Sequence, residues 1–195
     1  MSFFDNPRNA GLALMIVGLI QIIFGGIISI ALGAMNYEGY STASIVLGVG
    51  YIITGAILFM FGSKVRGGTV SAKIDILAGY VKVVGICIII SGIFSAIAVV
   101  AIGGDLGSAI VSIIISIIIG LIVLFISSKI NDGKQTTGDK IIWVILLLAF
   151  IIYLILAILE IITIIGIING ICDLIISVFM LMLLFDGEVK KEMGM

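Results

Sequence analysis

The sequence has no histidine at all. That removes the side chain most often used as metal ligand and general base. Charge is scarce too: only 11% of the 195 residues are Asp, Glu, Lys or Arg, and the formal net charge is −1. No basic field is left to hold nucleic acid. There is one proline, Pro7, so nothing in the apolar stretches is set to break a helix. The two cysteines, Cys87 and Cys172, both sit in apolar surroundings and read as small core residues. A disulfide between them is geometrically possible, but two cysteines do not establish it. No GxSxG, HExxH or phosphate-binding loop occurs, and Cys87 has no imidazole to pair with. The chain is therefore expected to be no enzyme, with no catalytic, metal or cofactor residues.

Apolar residues make up 62% of the sequence, with a mean hydropathy of +1.45. A soluble domain of this size could not hide so much apolar surface. About 20 apolar residues suffice to cross a bilayer as a helix, and six such stretches can be drawn. They are Gly11–Ala34, Ala43–Phe61, Leu77–Ile102, Leu106–Ser127, Ile141–Leu159 and Ile164–Phe185. The last two come from one block, Ile141 to Phe185, that would extend about 68 Å as a single helix, roughly twice the hydrocarbon thickness. It is expected to fold back between Glu160 and Gly166. The fold class is thus all-α, a multi-pass membrane protein of six spans. The domain plan is an arm over residues 1–10, a single membrane domain over 11–185 and a tail over 186–195. Ser2 to Pro7 reads as an interfacial lead-in, with Asp5 or Asn6 capping a helix that opens on Pro7. The first run is too long for a signal peptide and reads as a retained helix.

Positive charge orients the spans, because cytoplasmic loops carry the excess of Lys and Arg. Arg8 lies in the N-terminal arm; Lys64, Arg66 and Lys73 lie in the second connection. Lys129, Lys134 and Lys140 lie in the fourth, and Lys190 and Lys191 in the tail. The connections at 36–40, 103–105 and around Glu160 have no basic residue. The alternation requires an even number of spans with both termini cytoplasmic. Lys82, a turn and a half inside the third span, can snorkel to the interface.

Glycine falls at seven-residue steps, which lie along one helix face. Gly11, Gly18 and Gly25 mark the first span, and Gly48, Gly55 and Gly62 the second. Ala78, Gly85 and Gly92 mark the third, with Gly120 in the fourth. Such smooth strips cost helix stability in water, but in lipid they let backbones pack closely. Val17-Gly18 with Gly25 aligns on Val84-Gly85 with Gly92, and Gly55 on Gly120. The spans therefore read as three hairpins, about 11–61, 77–127 and 141–185, that all enter from one side. They are parallel repeats and not an inverted pair. This pattern resembles the HdeD-like acid-resistance membrane proteins, six-helix proteins built of two-helix repeats with spaced glycines. The resemblance implies a stress-associated membrane protein without a known catalytic centre, and it assigns no site residue. That family often has prolines near helix ends, which are missing here.

Asp173 is the sharpest candidate for function. It lies about 18 Å from the end of the sixth span at Phe185, where an unpartnered carboxylate is costly. Asn169 and Ser177 share its helix face. The repeat register places Tyr51 and Ser116 at the same depth, so Asp173, Asn169, Ser116 and Tyr51 form the candidate polar transport site. A turn at Asn169-Gly170 would instead move Asp173 to the interface. Gln21, Thr54, Ser91, Ser95 and Ser112 are read as interhelical hydrogen-bonding residues. The expected function is that of a non-catalytic integral protein of the cell membrane with a structural, interaction or envelope-stress role, and the alternative is a small ion- or proton-linked channel or transporter using the Asp173 level. Expected partners are membrane lipid and either further copies of the chain or a larger membrane complex, with no nucleic acid.

Overall fold

The structure is a computed structural model that describes residues 6–37, 41–133, 137–162 and 167–195, leaving out the side chains of 167–169. Lys134, most of the first connection and residues 163–166 of the last turn lie outside the described residues, as does the lead-in before Asn6. All regular structure among the described residues is helical. We number the helices α1 (Pro7–Ala34), α2 (Thr42–Arg66), α3 (Lys73–Ala101), α4 (Leu106–Ile130), α5 (Thr137–Ile162), α6 (Ile167–Phe185) and α7 (Gly187–Glu192). The first five are long and apolar enough to cross a bilayer, and Gly170–Phe185 forms a shorter apolar helix. The chain is a helical membrane protein.

The helices outrun the apolar stretches from which they were read. α2 continues to Arg66, five residues past Phe61, while α3 starts at Lys73 and α5 at Thr137, each four residues before its apolar run. An apolar run ends where hydrocarbon ends, but backbone hydrogen bonding continues into the polar interface. The ends themselves are closed locally. Asn6 accepts the Arg8 N–H at 3.0 Å and Asp105 the Ser108 N–H at 2.6 Å, so Asn6 and Asp105 cap α1 and α4. Past α2, the Gly68 N–H reaches the Val65 carbonyl and the Thr69 N–H that of Lys64; Gly103 and Gly104 repeat this on Val100 and Val99 past α3. Gly68 (φ 79°) and Gly103 (φ 77°) adopt the left-handed conformation that this closure requires. Asn36 (φ 48°) does the same after α1.

The chain divides into two compact units. One comprises Met1–Leu14, Gly62–Tyr80 and Ile126–Met195. Within it α5 and α6 run antiparallel as a hairpin. At one end of the hairpin Gly170 lies so close to α5 that an added Cβ would be 2.7 Å from the Ala157 carbonyl oxygen. At the other end the Trp143 indole N–H donates to the Leu184 carbonyl at 2.9 Å. Gly170 is thus inside α6 and buried in a helix contact, not at a turn. The first turns of α1 join this unit through Ala10 and Ala13, which pack on Phe179. Tyr80 of α3 meets Phe150 of α5 with ring centroids 6.4 Å apart. The Ser127 hydroxyl of α4 donates to the Ala78 carbonyl of α3 at 2.9 Å.

The second unit comprises Met15–Phe61 and Val81–Phe125. Here α1 faces α2 along glycines. A Cβ on Gly18 would lie 2.6 Å from the Gly55 carbonyl oxygen, one on Gly48 2.9 Å from that of Gly26, and one on Gly33 2.8 Å from that of Ser41. The α2 partners step by seven, from 55 to 48 to 41, while the α1 glycines step from 18 to 26 to 33. The extra residue is absorbed where α1 widens into a π-helical stretch, Gln21–Ile28. An i→i+5 turn takes in one more residue than an α-turn, which returns Gly26 and Gly33 to the face that meets α2. Gly25, expected on that strip, is shifted off it and lies against the Tyr51 side chain instead. The strict seven-residue series in α1 therefore holds only as far as Gly18. Between α3 and α4, Gly85 and Gly120 abut each other's helices, and Gly92 sits against Ser116. α4 is the least covered of the five long helices, with 11% of its most apolar window buried, which leaves Ile114, Ile118 and Phe125 outward-facing.

Candidate functional site

Two polar clusters lie among the apolar helices, one in each unit. The first is centred on Asp173, in the second turn of α6. The Tyr153 hydroxyl hydrogen-bonds its carboxylate, and the Glu160 carboxylate lies within electrostatic range of it. Tyr153 and Glu160 are seven residues apart on α5 and share one face of that helix. The antiparallel α5–α6 pairing sets that face against the start of α6. The Ser177 hydroxyl, which is buried, donates to the Asp173 backbone carbonyl at 2.6 Å and not to the carboxylate. The side chain of Asn169 lies outside the described residues. Sequence reasoning named Asp173, placed Glu160 only at the outer connection, and did not name Tyr153. Their i, i+7 spacing puts Tyr153 and Glu160 on one helix face, but only the register of α5 against α6 brings that face to Asp173.

Tyr51 and Ser116, the other members of the expected polar level, belong to the second unit, where each packs on a glycine. Tyr51 lies on Gly25 and Ser116 on Gly92. Tyr51 is 42% exposed.

The second cluster ties three helices together. The Gln21 side-chain amide of α1 donates to the Thr54 hydroxyl of α2 at 2.9 Å, and that hydroxyl donates to the Gly50 carbonyl at 3.0 Å. The Cys87 thiol of α3 approaches the Thr54 carbonyl at 3.9 Å. Thr54 is 1% exposed. Gln21 opens the π-helical stretch, so the residue that departs from α geometry is also bonded across to α2. The interhelical bonding expected for Gln21 and Thr54 is present. Both cysteines are free. Exchanging Thr54 for valine should lower unfolding stability in detergent by about 0.6–1.7 kcal/mol, since the Gln21 amide loses its acceptor. Adding Gln21→Leu to that variant should recover part of the loss, because no unpaired amide then remains. Equal and additive losses would show that the two side chains do not interact.

Among the described residues no group of three or more Cys, Asp or Glu is placed to hold a metal ion. Chemically, the Asp173 cluster can hold a proton or polarise a small cation, and the Thr54 cluster can hold helices in register. No family model, curated protein or solved structure matches the chain.

Proposed function

We propose that the protein is a non-catalytic, multi-pass protein of the cell membrane that acts as a packing and interaction module. In this reading six spans form three hairpins with both termini cytoplasmic. Lipid and neighbouring membrane proteins or further copies of the chain are its partners. One observation carries the reading: polar groups of the spans are used between helices. The Gln21–Thr54, Ser127–Ala78 and Trp143–Leu184 bonds each join two helices. A stress-associated role is proposed on the resemblance to the HdeD-like proteins alone.

A second reading, proton- or cation-linked transport, is favoured by the two carboxylates and the tyrosine hydroxyl around Asp173. Flux in proteoliposomes separates the two. Under a pH or potassium gradient, wild-type vesicles should leak no faster than protein-free ones. A flux that is present in wild type and lost in Asp173→Asn would transfer the assignment to transport.

A further inference from the structure

We infer that the Lys73–Asp186 cleft of the first unit is a headgroup site for a phospholipid bearing a primary ammonium, of the phosphatidylethanolamine type. The cleft, of about 290 Å³, is lined by Pro7, Ala10, Lys73, Phe179, Met182, Leu183 and Asp186. It sits where α1 and α3 begin and α6 ends, so three helices pass there from apolar to polar sequence. A bilayer places its headgroups at that transition. The walls are of two kinds. Phe179 and Leu183 are buried and Met182 stands 38% exposed beside them, giving an apolar wall for the upper part of an acyl chain. At the polar side the Lys73 ammonium bonds the Asp186 carboxylate at 2.6 Å and lies 3.7 Å from Glu188.

One ammonium between two carboxylates leaves a net negative charge; Asp186 gives its second oxygen to the Glu188 N–H at 3.0 Å, so the acceptor oxygens left for a ligand are those of the exposed Glu188 carboxylate. A primary ammonium can donate to those oxygens, while the lipid phosphate accepts from the lysine. A quaternary choline has no N–H to donate, and a glycerol headgroup brings no cation to the carboxylates. The volume is at the low end for ligand pockets, enough for a headgroup and the start of a chain.

Native mass spectrometry of the full chain in detergent tests this, with equimolar dioleoyl phosphatidylethanolamine, phosphatidylcholine and phosphatidylglycerol as probes. One phosphatidylethanolamine should be retained, about tenfold in preference to either competitor, the worth of one charge-assisted hydrogen bond. The pair Asp186→Asn and Glu188→Gln should erase that preference. Met182→Trp, which fills the cleft from its exposed rim and leaves the charges in place, should remove the retained lipid while melting stays unchanged. Equal retention of the three lipids by wild type, or undiminished phosphatidylethanolamine retention in Met182→Trp, overturns the assignment.

Discussion

Alanine at position 18 should destabilise the protein by about 1–3 kcal/mol, and leucine there by more. The added Cβ would stand 2.6 Å from the Gly55 carbonyl oxygen and 2.7 Å from the Phe59 backbone nitrogen. Both are backbone atoms, so the only relief is for α1 and α2 to separate, which sacrifices the close contact that binds helices in lipid. Gly25→Ala should be milder, although a repeat of seven would rank the two positions alike. Its Cβ would meet the Tyr51 Cγ at 3.0 Å and Cβ at 3.2 Å, a side-chain contact that a shift of a few tenths of an ångström relieves. Gly187→Ala, with nothing within 4 Å, should stay within about 0.5 kcal/mol of wild type. Thermal unfolding in one detergent ranks the three variants. An order with Gly25→Ala as damaging as Gly18→Ala would argue against the π-helical shift in α1.

The second large effect concerns the C-terminal tail. Asp186 caps α7, accepting the Glu188 N–H at 3.0 Å, and holds Lys73. Val189 and Met193 are buried, and the Lys190 ammonium lies 4.8 Å from the Phe185 ring centre and 5.7 Å from that of Trp143. Trp143 is the one tryptophan of the sequence, so its emission reports the tail directly. Deleting residues 186–195 should shift that emission to the red and lower the melting temperature. Acid should do the same more gently. Burial pushes the Asp186 carboxyl up, but hydrogen bonds from Lys73 and the Glu188 and Val189 N–H groups, with the lysine charge, outweigh it and hold it below the ordinary carboxylate value. A depressed folded-state value means that the contribution is complete above about pH 4, the unfolded value, and fades as pH falls through the folded one. Emission should be flat from pH 7 to 5, shift only in stronger acid, and lose that shift in Asp186→Asn. Unchanged emission on deleting the tail would show that it does not dock.

Much of this architecture was legible in the sequence because lipid imposes a simple rule: a span must be apolar for its whole length. Five long helices and the α6 segment follow from the apolar runs. The start of α1 followed as well, since Asn6 before Pro7 reads as a cap; the other helix ends did not, because capping by Asp105 and continuation to Arg66 depend on backbone bonding that hydropathy does not record. The step at Gly26 was hidden because a π-helical turn leaves no mark in the spacing of apolar residues. The docked tail could have been read from Val189 and Met193, four residues apart and thus on one face of a helix. Its charged composition marked it only as a tail beyond the last span. In the candidate site, Asp173 was conspicuous as an acid among apolar residues. Tyr153 and Glu160 became its neighbours only through the register of α5 against α6, which no local pattern specifies.

The protein is proposed to cross the membrane six times, in three hairpins with both termini on one side. Single cysteines placed at Ser2, Gly187 and Gly103 in a cysteine-free background, labelled in intact cells with an impermeant maleimide, test it most directly. The account predicts that position 103 labels from outside, while positions 2 and 187 label only after the membrane is opened. Labelling of positions 2 and 187 from opposite sides would mean an odd number of spans and would contradict it.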